Sequence, residues 1–335
     1  MSFTASAGCK RLFHRQEEPG IAGLFVARKY GIFPLRQSFL LGIEISHNAR
    51  IFLLTTFAMI AFAGNSLLCR LALKSHAIDA ASFTLIRLVS GALVLWLLLR
   101  ARKVPATGKG DWLSGFALFA YAAGFSFAYL NLSAAMGALL LFGSVQVTMI
   151  AFGVSQGERL QGMALMGFLI SLAGFIGLLS PGITAPPLLD SMLMSISGIA
   201  WGIYSLRGKN KGDPLQMTAG NFLRAAVIAV VSALLCYPWL AGQTFADEAG
   251  VIYAVGSGAL TSGLGYAIWY AVLPSLKTST AAIVQLSVPA IAALGGIALL
   301  DESMSLRLGL ATLAILGGIA MLSMPKAGKY NQSSK

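Results

Sequence analysis

The sequence predicts an all-α integral membrane protein of ten transmembrane helices, folded as two inverted five-helix repeats. Three observations lead there. The 335-residue chain is 57% hydrophobic and only 11% charged, whereas a soluble domain keeps about a quarter of its residues charged. It contains ten apolar stretches close to the length of roughly 20 residues that a helix needs to cross a bilayer. Its basic residues also gather on alternate connections, and its two halves match in order.

The apolar stretches are 51–69, 81–99, 112–131, 134–154, 163–179, 189–206, 219–240, 251–273, 278–300 and 306–324. Gly and Pro punctuate their ends, as at Pro181-Gly182, Pro186-Pro187, Pro214, Pro274 and Pro325. The first 50 residues carry Lys10, Arg11, Arg15, Arg28, Lys29, Arg36 and Arg50 and lack the unbroken apolar core of a secretory signal. They read as a basic cytoplasmic tail. With the N-terminus inside, inside segments hold 19 Lys and Arg and outside segments hold three, Arg70, Lys74 and Arg307. That bias places both termini in the cytoplasm of a cell whose inner membrane carries the protein. It also accounts for the net charge of +12 without a nucleic-acid partner.

The internal repeat is visible as four ordered matches. Residues 60–67 (Ile-Ala-Phe-Ala-Gly-Asn-Ser-Leu) answer 199–206 (Ile-Ala-Trp-Gly-Ile-Tyr-Ser-Leu). Leu85-Ile86-Arg87 answers Phe222-Leu223-Arg224, and Gly157-Glu158-Arg159 answers Asp301-Glu302-Ser303. Leu172-Ala173-Gly174 answers Leu316-Gly317-Gly318 at a similar offset. The chain therefore divides into the tail 1–50, a first repeat 51–181, a second repeat 189–325 and a short cytoplasmic tail 326–335. Five spans per repeat is odd, so the second copy enters the membrane the other way up. Two similar halves in opposite orientation give inward-open and outward-open states of similar energy, with a binding site near the midplane between them. This points to a transporter of a small molecule by alternating access.

An intramembrane enzyme would need paired acids, an HExxH or another reactive constellation at depth, and the spans hold none. Cys9, Cys69 and Cys236 form no CxxC pattern, and His14, His47 and His76 lie outside the apolar stretches, so no metal or cofactor is expected. A receptor or scaffold would not require buried polar groups in both repeats. The expected partners are the lipid bilayer and the solute, with the chain a monomer or a homodimer.

Ser82-Phe83-Thr84-Leu85-Ile86-Arg87, Val288-Pro289-Ala290, the run Gly295-Gly296-Ile297-Ala298-Leu299-Leu300-Asp301-Glu302 and the Glu after spans four and nine resemble the drug/metabolite transporter superfamily. More narrowly, the resemblance is to its ten-helix EamA-type members, over residues 51–325. It implies export of amino-acid-like metabolites, or drug efflux. One departure is Ser144-Val145-Gln146, which stands where the first repeat would carry the proline, so span four is expected to be straighter than span nine. Proton-coupled multidrug antiporters among the four-helix relatives carry a Glu in span one, and Asn65 occupies the comparable region here. A proton-coupled drug or cation efflux pump is therefore the alternative reading, and a carrier of neutral or zwitterionic metabolites the leading one.

Polar groups at depth are expensive in a bilayer and tend to face a bundle interior or a wet cavity. Asn65, Gln146, Tyr204 and Gln285 are candidate substrate groups on that ground. Each could instead make an interhelical hydrogen bond, typically about 0.6 kcal/mol in membranes. Tyr121, Phe125, Phe127 and Tyr129 in span three and Tyr266, Trp269 and Tyr270 in span eight, with Trp201, could wall a cavity or form ordinary packing and an interfacial belt. Arg87 and Arg224 each lie about 9 Å of helical rise inside a span, within snorkelling reach of the interface. They and Glu158 and Glu302 are taken as structural or gating residues. The small-residue patterns Gly198-xxx-Gly202, Gly256-x-Gly258 and Gly263-x-Gly265 read as close helix contacts.

Overall fold

A computed structural model describes residues 46–103, 109–157, 162–180, 185–208, 212–240, 242, 244–276 and 284–322. Among the described residues there is no β-strand, only an isolated bridge between Ile78 and Ala246. Among the described residues, helical segments lie at each of the ten positions that hydropathy marks: α1 (His47–Lys74), α2 (Ala80–Ala101), α3 (Trp112–Ala128), α4 (Ala134–Ser155), α5 (Met163–Leu179), α6 (Leu188–Gly208), α7 (Pro214–Leu240), α8 (Glu248–Ser275), α9 (Ser287–Leu300) and α10 (Leu306–Leu322). Five of them, α1, α2, α4, α7 and α8, are long and apolar enough to cross a membrane, and α3, α5, α9 and α10 are shorter apolar helices. Large apolar side chains face outward along the bundle, among them Leu234, Leu294, Leu306 and Leu313, each about 70% exposed or more. Helices satisfy their own backbone polar groups, which is what allows such surfaces to sit in lipid. The protein is an all-α membrane protein.

Capping residues fix the starts of the helices, and they repeat. Asp79 accepts from the N–H groups of Ala81 and Ser82 at the start of α2, and Asp213 accepts from Leu215 and Gln216 at the start of α7. Asp111 caps α3 through Ser114, and Asp247 caps α8 through Gly250. A carboxylate there satisfies orphan N–H donors and meets the positive end of the helix dipole. Thr84 and Thr218, each five residues beyond its capping Asp, both turn the hydroxyl back onto the carbonyl four residues earlier. This register sets Arg87 against Asn221 and not Arg224, a correction to the pairing of spans two and seven read from local sequence.

The packing has the same internal symmetry. Helices α2 and α7 pack together, as do α4 with α9 and α5 with α10. The contacts of α1 with α8 and α9 are matched by those of α6 with α3 and α4, and α2 on α8 is matched by α7 on α3. Exchange of each helix with the one five places on returns the main contact pattern. Helices α5 and α10 form an outlying pair held by small residues: a Cβ on Gly318 would lie 2.4 Å from the Gly167 carbonyl, and Ser171 donates to the Ile315 carbonyl at 3.1 Å.

Two helices of the second half are irregular. Helix α8 carries a π-helical stretch, Gly256–Leu264, which shifts the facing of side chains beyond it. The helical path before α9 breaks at Leu286. Pro289 supplies no N–H to the carbonyl of Gln285 and its ring crowds that oxygen. Helix α4, with Ser144-Val145-Gln146 at the matching place, runs unbroken. Among the described residues of span nine the continuous helix runs over Ser287–Leu300, and residues 277–283 lie outside the described set.

Candidate functional site

Helices α1, α3, α4, α6 and α8 meet around a small interior cavity. Phe62, Asn65 and Ser66 of α1, Tyr121 and Phe125 of α3, Leu141 and Phe142 of α4, Trp201 of α6 and Tyr266 of α8 line it. The rings interlock. Trp201 lies 4.6 Å from Tyr266 and 5.1 Å from Tyr121, centroid to centroid, and Phe62 meets Tyr266 edge-on at 5.5 Å. The free space is about 10 Å³, room for roughly one water molecule. A larger solute requires the walls to part.

Polar groups knit this cavity to α2 and to the π stretch of α8. The Asn65 amide donates to the Tyr121 hydroxyl at 3.0 Å, while its Oδ1 accepts from Ser257 at 2.7 Å and from Thr261 at 3.4 Å. Arg87 Nε donates to Ser262 Oγ at 3.1 Å, and Nη2 donates to Tyr121 at 2.8 Å and Tyr266 at 3.3 Å. Its guanidinium carbon lies 5.0 Å and 4.8 Å from the ring centres of Tyr121 and Phe125. Ser257, Thr261 and Ser262 reach both Asn65 and Arg87 from one short segment because the π stretch re-aims it.

Arg87 does not snorkel. It is 1% exposed and belongs to the polar shell of the cavity. Helix α2 is flanked by α7 and α8, and the side chain is held there by hydroxyls and π faces. Arg224 differs: it donates to the carbonyls of Lys109 and Gly220, both at 2.9 Å, and lies over the Trp112 ring at 5.7 Å, close to the start of α3.

The other sequence candidates spread along and around the cavity. Tyr204 continues the aromatic row from Trp201 at 5.4 Å, and Tyr270 follows it at 6.1 Å. Trp269 packs on Phe62 at 6.0 Å. Gln146 and Gln285 are buried, at 6% and 9% exposure, but neither is among the lining residues. Glu158 lies outside the described residues. Sequence reasoning passed over Ser257, Thr261 and Ser262. The signal available was a hydroxyl-rich segment, Ser257-Gly258-Ala259-Leu260-Thr261-Ser262, in an otherwise apolar span.

Each end of the bundle has a polar closure. At one end Glu302 pairs with Arg70 at 3.1 Å, and its second oxygen accepts from the Ala134 N–H at the start of α4. Arg70 also donates to the carbonyls of Tyr129 and Leu130, both at 2.9 Å, and Lys74 donates to the Leu300 carbonyl. At the opposite end Arg207 pairs with Asp111 at 2.9 Å and donates to Ser114 at 3.1 Å. The first pair is 14% and 10% exposed, the second 32% and 33%. Among the described residues no cluster of His, Cys, Asp or Glu could hold a metal ion.

Burial pushes the Asp111 carboxyl up, but hydrogen bonds from the Ser114 backbone and hydroxyl and the Arg207 guanidinium outweigh it and hold it down at about 2. A carboxyl depressed in the folded state adds stability above its unfolded value, here the ordinary 3.8, and loses it as pH falls toward 2. Thermal unfolding in detergent between pH 5 and pH 2.5 is expected to show a fall in Tm that Asp111→Asn reduces. An equal fall in both proteins would show that Asp111 is not its source.

Comparison with known proteins gives consistent matches. The EamA-like transporter family matches over residues 190–324. An uncharacterized protein of Pseudomonas aeruginosa is 56% identical over 281 residues, covering 84% of this chain and 96% of its own length. An uncharacterized transporter of Archaeoglobus fulgidus is 25% identical, covering 76% of this chain and 91% of its own. A solved crystal structure is similar in fold, with TM-score 0.57 at 20% identity over 79% of this chain and 95% of that one.

Proposed function

The chain belongs to the EamA-like transporter family, and from that premise we propose that it is a secondary carrier exporting small neutral or zwitterionic, amino-acid-like metabolites. It works by alternating access through the cavity between its two five-helix repeats. The observation that carries the reading is the polar and aromatic cavity drawn from both halves, Asn65 and Tyr121 from the first and Trp201 and Tyr266 from the second. It is supported by the contact pattern, which repeats on exchange of helices five places apart. A carrier of this kind opens one end while the other is tied, and the bundle has a separate polar closure at each end. By the distribution of Lys and Arg the Arg70–Glu302 closure faces outside and the Arg207–Asp111 closure faces the cytoplasm, with the protein multi-pass in the inner membrane.

The alternative, proton-coupled efflux of cationic drugs, requires an acid at the cavity. Among the described residues the cavity is lined by aromatic, amide and hydroxyl groups and has an arginine beside it, a poor field for a cation. The test is uptake by proteoliposomes of the purified chain, offered amino acids, small neutral metabolites and a cationic dye, with and without a pH gradient. Saturable amino-acid uptake is expected, reduced roughly tenfold or more by Asn65→Ala, which deletes the hydrogen bonds to Tyr121, Ser257 and Thr261. Dye uptake driven by the pH gradient, without uptake of the others, would favour the alternative.

A further inference from the structure

Resting on the carrier reading above, we propose that Arg87 and the hydroxyls around it form a carboxylate-binding subsite, so that the solute carried is an amino acid or a close carboxylate and not an uncharged polar molecule. Arg87 is 1% exposed, and its Nη1 is buried with no hydrogen-bond partner. The Arg70–Glu302 and Arg207–Asp111 ion pairs lie at the ends of the bundle, and the hydrogen-bond partners of Arg87 are hydroxyls, none of them a carboxylate. A guanidinium in a low-dielectric interior is costly unless paired, and a fork of N–H groups with one arm unused matches the two oxygens of a carboxylate.

The surrounding groups compound the excess of donors. Guanidinium has five N–H donors and no acceptor, whereas a phenol oxygen has two lone pairs and one proton. Asn65, Arg87 and Tyr266 all place a donor on the Tyr121 oxygen, at 3.0, 2.8 and 3.0 Å. Three donors cannot share two lone pairs, so one phenol proton of the pair turns away from the Tyr121 oxygen, and the acceptor beside Tyr266 is Ser262 Oγ, which already accepts from Arg87 Nε. A second nearby acceptor, Asn65 Oδ1, is taken by Ser257 and Thr261. Bringing an anion into the cavity supplies an acceptor for Arg87 Nη1 and the missing charge together. The rings of Phe62, Trp201 and Tyr266 that line the same space offer π faces suited to an ammonium group, which fits a zwitterion better than a simple anion.

Loading this site requires the aromatic walls to separate, so the test reads flux. The full-length chain in liposomes is assayed by counterflow of L-leucine and L-phenylalanine against L-leucinamide and L-phenylalaninamide, which differ from them at the carboxylate. The expected result is saturable flux of both acids with each amide at least about tenfold weaker. Arg87→Lys, which keeps the charge and loses the fork, raises the KM for the acids roughly tenfold, and Arg87→Gln roughly 100-fold with loss of the preference for acid over amide. Tyr266→Phe, which removes one hydroxyl from the cluster, raises KM more than it lowers kcat. Should Arg87→Gln fail to fold, the wild-type acid and amide comparison and the lysine variant decide the matter. Amide flux equal to or above that of the acids overturns the subsite and leaves the carrier standing. Absence of saturable flux for all four solutes, in protein shown to be folded and inserted, overturns the carrier and the subsite with it.

Discussion

Replacing Gly258 with valine is expected to loosen or unfold the bundle. A Cβ at this position would lie 2.1 Å from the Arg87 carbonyl oxygen and 2.1 Å from Ser90 Oγ. The first of these is backbone in the middle of α2 and cannot rotate away, so α2 and α8 would have to move apart. Overpacking usually costs about 1–3 kcal/mol. A clash against helical backbone at the seam of α2 and α8 belongs at or above the top of that range. The same seam carries the Arg87–Ser262 hydrogen bond, so transport should be lost with stability. Gly309→Ala is the control, because a Cβ there meets nothing within 4 Å. Thermal unfolding in detergent reads the difference: a Tm for Gly258→Val within about 2 °C of the wild type would show that the two helices are not held at this separation.

Glu302→Gln is expected to open the end of the bundle that Glu302 ties. The side chain joins Arg70 of α1 to the N-terminus of α4, and the backbone N–H of the same residue, which the substitution leaves in place, donates to the Gly296 carbonyl of α9. Breaking one partner of a buried pair is typically worth about 3–5 kcal/mol. Here the amide still accepts from Ala134 and Arg70 keeps the Tyr129 and Leu130 carbonyls, so the lower end applies. The opposite closure, Arg207 with Asp111, is a third exposed and weakened by solvent. Loss of Glu302 should therefore shift the balance toward opening at its own end. The measurement is the rate at which an impermeant maleimide modifies Ser66→Cys, a lining position, in a chain whose Cys9, Cys69 and Cys236 have been replaced. At least a tenfold faster reaction with Glu302→Gln is expected, since about 1.4 kcal/mol is a factor of ten in an equilibrium. An unchanged rate would make Glu302 a static tie and not part of a gate.

The amino-acid sequence by itself determined the class of the protein and the positions of the ten helical segments seen among the described residues. Hydropathy over some 20 residues is a local sum that the bilayer reads directly. The repeat was legible for the same reason, as similar residues in the same order. Even there, the local match of Arg87 with Arg224 was displaced when the capping aspartates Asp79 and Asp213 fixed the register. The site was legible only in part. Asn65, Trp201 and Tyr266 stand out as polar or aromatic residues at depth and do line the cavity, while Gln146 and Gln285 stand out equally and are buried away from its lining. In water an apolar stripe tells which face of a helix turns inward. In a bilayer both faces are apolar, so periodicity does not single out the inner one. Only the tertiary packing decided that Arg87 turns inward between α7 and α8, that a π stretch aims three hydroxyls at one place, and that residues as far apart as Asn65 and Tyr266 share one cavity. Those choices depend on which helices touch, and the energy that selects them is the cost of leaving a guanidinium or an amide unpartnered in lipid.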